Sequence, residues 1–181
     1  MKKFTFFAIA ALAMTFAACG NQNGANTKKG AKDGKAPKEV TYMTYTNDKY
    51  GFTVEVPEGM TRRGEAMGDE GTVFSLEDDS QGVTFNRIDI SGNTQMYGED
   101  YDIKKEAEDM MEFFDYSDRI NVEIGDNYFT STAPGESITQ IDYIVVNGPK
   151  MVSIAICYEP EFEKQLGGEV AQHVFKSVKF K

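Results

Sequence analysis

Histidine, cysteine and tryptophan are scarce in this chain, and their scarcity removes most familiar catalytic arrangements. Among 181 residues there are one histidine, His173, two cysteines, Cys19 and Cys157, and no tryptophan. The sequence contains no His-Glu-x-x-His, Cys-x-x-Cys, Gly-x-Ser-x-Gly or Gly-x-Gly-x-x-Gly motif. A Cys–His pair would need Cys157 and His173 to meet through folding alone. We therefore expect no catalytic residue, no cofactor and no metal site, and we expect that the protein is not an enzyme.

Positive charge is scarce beyond the first 39 residues. The whole chain has 19 basic and 29 acidic residues, and residues 40–181 hold 12 of the basic and 27 of the acidic ones, a net charge of −15. Proteins bind nucleic acid by neutralising phosphates with lysine and arginine, so this balance argues against a nucleic-acid partner. It also argues against a domain surface that rests on anionic lipid, and it suits cationic partners.

One long apolar run stands at the N-terminus, between Lys3 and Cys19. Residues 4–18 are apolar except for Thr5 and Thr15. A membrane-spanning helix needs about 20 apolar residues, so this run is short for one. Its length and its positive start are typical of a signal peptide. An ordinary secretory signal cut within residues 11–13 is the alternative, but the cysteine that ends the run favours a lipoprotein signal.

The residues Phe16-Ala17-Ala18-Cys19 resemble the lipobox of bacterial lipoproteins, in which small residues precede an invariant cysteine. The resemblance implies that residues 1–18 are a signal peptide cleaved after Ala18. It also implies that Cys19 carries acyl chains such as palmitate, and several chains hold a protein stably on a bilayer. Gly20 after the cysteine resembles lipoproteins sent to the outer membrane. We expect a protein of the bacterial envelope, anchored to membrane lipid through Cys19, with its domain in the periplasm.

Residues 19–39 have the composition of a flexible linker. No aliphatic residue larger than alanine occurs between Gly20 and Glu39, so this stretch buries too little apolar surface to fold. It contains five lysines, which either lie on anionic headgroups or simply keep the linker soluble; we favour solubility. The sequence thus predicts a lipid-anchored linker over residues 19–39 and a single domain over residues 40–181.

Two segments of the domain have helical periodicity. In residues 102–116 the apolar positions recur at spacings of four, three and four: Ile103, Ala107, Met110 and Phe114. Asp100 or Asp102 can cap the start of this helix. Residues 160–176 begin with a proline suited to a first helical turn. We expect Gly167-Gly168 to kink or split this second helix, at a cost of roughly 2 kcal/mol relative to alanines.

The remaining apolar segments predict an antiparallel sheet. The predicted strands are residues 40–45, 52–56, 72–76, 83–91, 128–132, 137–146 and 151–158. Asn147-Gly148 is the strongest hairpin signal, and the broken alternation around Asn86 and Arg87 suggests a bulge. Strands joined by hairpins form antiparallel sheets. The fold class expected is α+β, with about six to seven strands covered by two or more helices.

Two of these segments resemble the PsbP-like superfamily. Residues 50–60, YGFTVEVPEGM, resemble the aromatic-Gly-Phe strand that opens such domains and runs into a proline. Residues 173–180, HVFKSVKF, resemble their closing helix and short serine-containing strand. The superfamily includes photosystem II extrinsic subunits, the Ran-binding protein Mog and the bacterial envelope lipoprotein DcrB. The resemblance implies an α/β/α sandwich over nearly all of residues 40–181 and a non-enzymatic role in stabilising a protein partner.

Acidic turns and one basic pair are the remaining candidates for binding. The acidic groups are Asp69-Glu70, Glu77-Asp78-Asp79 and the stretch Glu99-Asp100-Tyr101-Asp102. Oxygen-rich loops can bind Ca²⁺, but none of these has the spacing of an EF-hand loop, so a solvated acidic surface is favoured. Arg62-Arg63 either contacts an anionic ligand or partner or is a surface pair near Glu65 and Asp69, and we favour the surface pair.

Cys157 lies in the apolar run of residues 151–157, and a buried, inert thiol is expected there. With no chemistry indicated, the function expected is a non-enzymatic envelope lipoprotein that binds or stabilises another envelope protein. The alternative is a small-molecule or calcium-binding periplasmic module.

Overall fold

The computed structural model describes residues 39–66, 70–76, 85–94, 102–113 and 118–181. The leader, the cleavage position Ala18, the lipidation position Cys19 and the linker up to residue 38 lie outside the described residues, and the statements about them stay predictions. Within the described ranges, no helix is both long enough and apolar enough to span a membrane. Residues Lys38–Lys181 form one compact unit.

The described residues contain ten strands and three α-helices. In chain order these are β1 (Tyr42–Asn47), β2 (Phe52–Pro57), β3 (Thr61–Ala66), β4 (Gly71–Ser75), β5 (Arg87–Thr94), α1 (Ile103–Phe113), β6 (Ile120–Ile124), β7 (Tyr128–Ala133), β8 (Thr139–Asn147), β9 (Lys150–Tyr158), α2 (Glu163–Leu166), α3 (Gly168–Lys176) and β10 (Lys179–Phe180). A 3-10 turn, Pro160–Phe162, precedes α2.

The strands form two antiparallel sheets, which confirms the α+β prediction. The large sheet has seven strands in the order β3-β4-β5-β9-β8-β7-β6, and the small sheet has the order β1-β2-β10. The small sheet exists because the predicted first hairpin does not join the large sheet. Instead, β10 at the end of the chain pairs with β2, placing Phe180 beside Phe52.

The main core lies between the two sheets and the C-terminal helices. We call the face of the large sheet that points into this core the inner face, and the opposite one the outer face. Every second residue of the central strands is buried on the inner face, as the alternation in the sequence requires. The cluster includes Phe52, Val54 and Val56 of β2, Ile88 and Ile90 of β5, Val152, Ile154 and Ile156 of β9, and Leu166, Ala171, Val174 and Phe175 of the helices.

Helix α1 covers part of the outer face. Ile103 and Ala107 are buried with Phe129 of β7, and Ile144 and Val146 of β8 pack against this second cluster. The predicted cap is confirmed, because Asp102 Oδ1 accepts hydrogen bonds from the backbone N–H groups of residues 104 and 105 at 3.0 and 3.3 Å. The described helix ends at Phe113, and residues 114–117 lie outside the described part.

The predicted break in the last helix is confirmed. The chain passes from α2 to α3 at Gly167, and Gly168 has a φ of 49°, a value that suits glycine. A Cβ atom on Gly167 would lie 2.8 Å from Tyr158 Oη on β9. The glycines therefore allow the helix to turn and to approach the sheet closely.

Three details differ from the sequence prediction. Strands β3 and β6 were not predicted. The bulge expected around Asn86 and Arg87 is absent, since β5 pairs in regular register from Arg87 onward. Asn86 precedes the strand and instead hydrogen bonds through its side chain with Glu159, at 2.9 and 3.0 Å, which explains the broken alternation.

The predicted turn after Asn147 is confirmed, with Gly148 at a φ of 56°.

Candidate functional site

The half of the outer face away from α1 carries a cluster of polar side chains. We call it the outer polar patch and define it as Arg87, Asp89, Arg119, Ser131, Gln140, Asp142 and Cys157. Strand register arranges these residues in two rows across the sheet. One row runs from Arg87 through Cys157 to Gln140. The other runs from Asp89 through Ala155 and Asp142 to Ser131.

Strand alternation places these side chains on the outer face. In β5, Ile88 and Ile90 enter the core, so Arg87 and Asp89 point the other way. In β8 the outward positions change from Ile144 and Val146 beneath α1 to Gln140 and Asp142. No sequence pattern predicts this cluster, because its members are scattered over five segments. The available signal was a pair of charged residues that alternate with two isoleucines in one strand.

Two ion pairs organise the patch. Arg87 Nε lies 2.9 Å from Asp89 Oδ2, and the two side chains are 16% and 30% exposed. Arg119 pairs with Asp142, and these side chains are 14% and 22% exposed. Arg119 also donates to Ser131 Oγ at 2.9 Å, while Gln140 Nε2 donates to both oxygens of Asp142 at 2.8 and 3.0 Å. These ion pairs and hydrogen bonds restrict the conformations of the patch side chains.

Within the described part of the chain, the carboxylate of Asp89 is the member of the network with an unsatisfied hydrogen-bond acceptor. Its Oδ1 is buried and has no hydrogen-bond partner in the described part of the chain. Burial raises the pKa of Asp89, and the negative charge of Asp142 adds to this; the attraction of Arg87 lowers the pKa but does not reverse the shift. A buried acceptor without a donor lowers the stability of the folded state, because the oxygen has lost its hydrogen bonds to water.

Cys157 is buried within the patch, as the sequence predicts. The residue is 6% exposed, and its sulfur lies 3.9 Å from Gln140 Oε1. Burial raises the pKa of the thiol to about 12; Arg87 opposes this shift, and Asp89 and Asp142 add to it. A thiol that stays protonated is a poor nucleophile.

His173 has a different environment from Cys157. Its Nε2 lies 2.6 Å from Glu55 Oε2, and its ring stacks on Tyr42 with centroids 3.7 Å apart. These contacts hold α3 against the small sheet, whereas Cys157 lies on the outer face of the large sheet. The fold therefore does not bring the cysteine and the histidine into one pair.

Arg62 and Arg63 both lie at the surface, with Arg62 exposed and Arg63 half-buried, and they make separate contacts. They are neighbours in β3, so their side chains point to opposite faces. Arg62 lies over the Tyr45 ring at 5.3 Å and donates to Thr72 Oγ1 at 3.0 Å. Arg63 donates to Ser75 Oγ at 2.9 Å, beside Arg87 in the strand register. The two charges therefore present no joint anion site.

The acidic turns lie mostly outside the described residues. Of their members only Glu70 and Asp102 are described, and Asp102 caps α1. In the described ranges, no group of three or more histidine, cysteine, aspartate or glutamate residues is placed to hold a metal ion.

An open cleft lies at the C-terminal end of β1. Its volume is about 410 Å³, and its lining consists of Tyr45, Thr46, Asn47, Asp48, Lys49, Arg62 and Gly71. Its floor is rigid, because Tyr45 packs edge-on against Phe52 and Phe74. The cleft lies between the small sheet and the first strands of the large one.

Strand β6 carries two exposed aliphatic side chains: the register of Ile120 with Thr132 places Ile120 on the face opposite the outer polar patch, and alternation from Ile124 beneath α1 places Val122 on the same face as the patch. Ile120 is 50% exposed and Val122 is 40% exposed, directly after Arg119 in the chain. The pairing of β6 with β7 is interrupted by a bulge between Ile120 and Glu123, where Asn121 has a φ of 52°. A bulge in an edge strand hinders strand addition, so β6 offers its side chains rather than its backbone.

Comparison with known proteins identifies the fold. No protein-family model matches the chain, and no curated protein is significantly similar to it in sequence. Among solved structures, the solution structure of cyanobacterial PsbP (CyanoP) from Synechocystis is similar over 84% of this chain and 98% of its own, with a TM-score of 0.57 and 13% identity. A crystal structure of a protein from Bacteroides thetaiotaomicron matches 76% of this chain and 48% of its own, with a TM-score of 0.49 and 16% identity. The chain therefore has a PsbP-like fold, as the sequence resemblance implies.

Proposed function

We propose that this PsbP-like chain is a lipid-anchored protein of the bacterial envelope that binds a protein partner and catalyses no reaction. The binding surface proposed is the outer polar patch together with the side chains of β6. The observation that carries the proposal is the exposure of Val122 on the same face of the sheet as ion-paired Arg119 and Asp142.

This surface shares two features with protein–protein interfaces, namely its arginines and an exposed apolar side chain. Such interfaces combine apolar side chains with arginine, and their cores exclude water around well-packed anchors. Here the apolar anchor is Val122. The ion pairs on the same face are already formed, so binding would cost little further ordering of these side chains.

The charge of the domain favours a partner with a basic surface. Residues 40–181 carry a net charge of −15, which steers a cationic protein toward the domain and repels an acidic one. Steering by exposed charges weakens as salt is added. We therefore expect association with the partner to slow markedly with ionic strength.

The anchor rests on the leader sequence. Lipidation at Cys19 after cleavage at Ala18 would place the domain at the membrane on a linker formed by residues 19–39. We expect Cys19→Ala to release the protein from the membrane fraction. A variant that pellets with membranes and resists salt washes as the wild type does would contradict anchoring by acyl chains.

The binding surface is tested with the double variant Ile120→Asp/Val122→Asp. Both side chains are exposed, so the change should alter the free energy of unfolding little, by about 0.5 kcal/mol or less per site. We expect the amount of partner recovered after crosslinking in cells to fall at least tenfold. Thr61→Asp, at an exposed position of β3, is the matched control and should leave recovery unchanged. Equal recovery by the double variant and the wild type would overturn the proposed surface.

A further inference from the structure

The strand edges of the two sheets differ in how they are protected against pairing with another strand. Natural edge strands are guarded by charge, bulges, proline or shortness. Strand β3 carries two arginines and a register shift, β6 carries a bulge, and β10 has only two residues. Strand β1, with the sequence YMTYTN, has six residues in unbroken register with β2 and no charge or proline. It is the unguarded edge among the described strands.

The hydrogen-bond pattern shows which backbone groups of β1 face the open side. Glu58 N donates to Thr41 O at 2.8 Å, which makes residues 41 and 58 a hydrogen-bonded pair. Since such pairs alternate along an antiparallel ladder, Tyr42, Thr44 and Thr46 direct their N–H and C=O groups away from β2. Strand β2 shows the same alternation. Glu55, which lies opposite Thr44, directs its N–H away from β1 and donates it to Ser177 Oγ at 2.8 Å.

From this edge we infer that two copies of the chain associate through antiparallel pairing of β1 with β1, centred on Thr44. Pairing in this register sets Thr44 against Thr44 of the second copy and Tyr42 against Thr46. Each of these pairs would exchange two backbone hydrogen bonds. Threonine–threonine and aromatic–β-branched pairs are among the favourable cross-strand combinations. The two small sheets would become one continuous sheet, with the same surface used by both copies.

Charge and shape at the ends of β1 agree with a second copy as the occupant. In the same register, Lys49 at one end lies beside Glu39 of the second copy, so opposite charges meet twice. The strand itself is neutral, which brings no like charges directly opposite each other. The cleft of about 410 Å³ lies beside Thr46 and Asn47, where the first residues of the second β1 would pass. This association uses a different surface from the proposed partner site and does not depend on it.

The inference is tested by cysteine crosslinking of the full chain in cell lysate under mild oxidation. Thr44→Cys should give a disulfide-linked dimer, because directly opposed residues of a hydrogen-bonded pair are about 5.5 Å apart between Cα atoms. Thr46→Cys is the matched control; its two copies would be separated by four residues, about 13 Å, and should not crosslink. Cys157 is buried, so the wild type gives the background level.

A second pair of variants keeps the test decisive if one cysteine is unreactive. The double variant Tyr42→Cys/Thr46→Cys should crosslink, and adding Thr44→Lys should return it to background because two ammonium groups would face each other. Thr94→Lys, at another exposed strand position, should leave the crosslink intact. Absence of the dimer with both Thr44→Cys and the double variant would overturn the inference. So would equal crosslinking of Thr44→Cys and Thr46→Cys, or a disulfide from Thr44→Cys to a different protein.

Discussion

The two halves of the outer face are built from the same strands and treated in opposite ways. Beneath α1, Phe129 and Ile144 are packed against Ile103 and Ala107. A few residues further along the same strands, Ser131 and Asp142 take part in the ion-pair network instead. The first half contributes apolar burial to folding. The second half carries polar and charged groups, and burying these groups under apolar side chains would cost free energy. One face of a sheet can thus combine apolar packing with a polar network without a change in its backbone.

The largest effect is expected beneath α1. Phe129→Ala removes a ring that is 1% exposed, and we expect the free energy of unfolding to fall by about 3–5 kcal/mol, since truncation leaves a cavity. Chemical denaturation measures this loss. Val122→Ala, at a 40% exposed position, is the control and should cost about 0.5 kcal/mol or less. A loss below about 1 kcal/mol for Phe129→Ala would show that α1 does not seal this half of the face.

A smaller loss is expected in the polar half. Asp142→Ala deprives Arg119 and Gln140 of an acceptor, and leaving such groups unsatisfied costs about 1–3 kcal/mol. Replacing both members of the ion pair, as in Arg119→Met/Asp142→Leu, should recover part of that loss. The attraction within a buried ion pair often does not compensate for the cost of removing both charges from water. If the single variant unfolds at the same denaturant concentration as the wild type, the network adds nothing to stability.

The smallest effect is a change in pH dependence. The ordinary pKa of Cys157 is 9.0, and burial raises it to about 12 in the folded protein. Between these values the folded state keeps a proton that the unfolded state releases, so stability falls as the pH rises from about 9 toward 12. One proton corresponds to about 1.4 kcal/mol per pH unit. Cys157→Ala should make this decline shallower by up to that amount, and identical slopes would contradict the burial of the thiol.

The strands with regular alternation, including the edge strand β1, were predictable from sequence, whereas β3, β6 and the patch were not. Strand β3 consists of polar residues around Gly64, and in β6 the bulge at Asn121 accompanies side chains that are mostly exposed, so neither resembles a half-buried strand. The helix break at Gly167 was visible because glycine signals a local backbone requirement. The patch depends on which strands become neighbours, and in particular on β9 lying between β5 and β8. That order follows from packing of the whole domain and from no local pattern.

The central claim, that the polar half of the outer face with β6 binds a protein partner, is tested most directly by site-specific photocrosslinking in cells. A photoreactive residue at Val122 reports on the polar half, and one at Glu108, exposed on α1, reports on the covered half. We expect one specific crosslinked partner from position 122 and none from position 108. Crosslinks to the same protein from both positions, or from position 108 alone, would contradict the account.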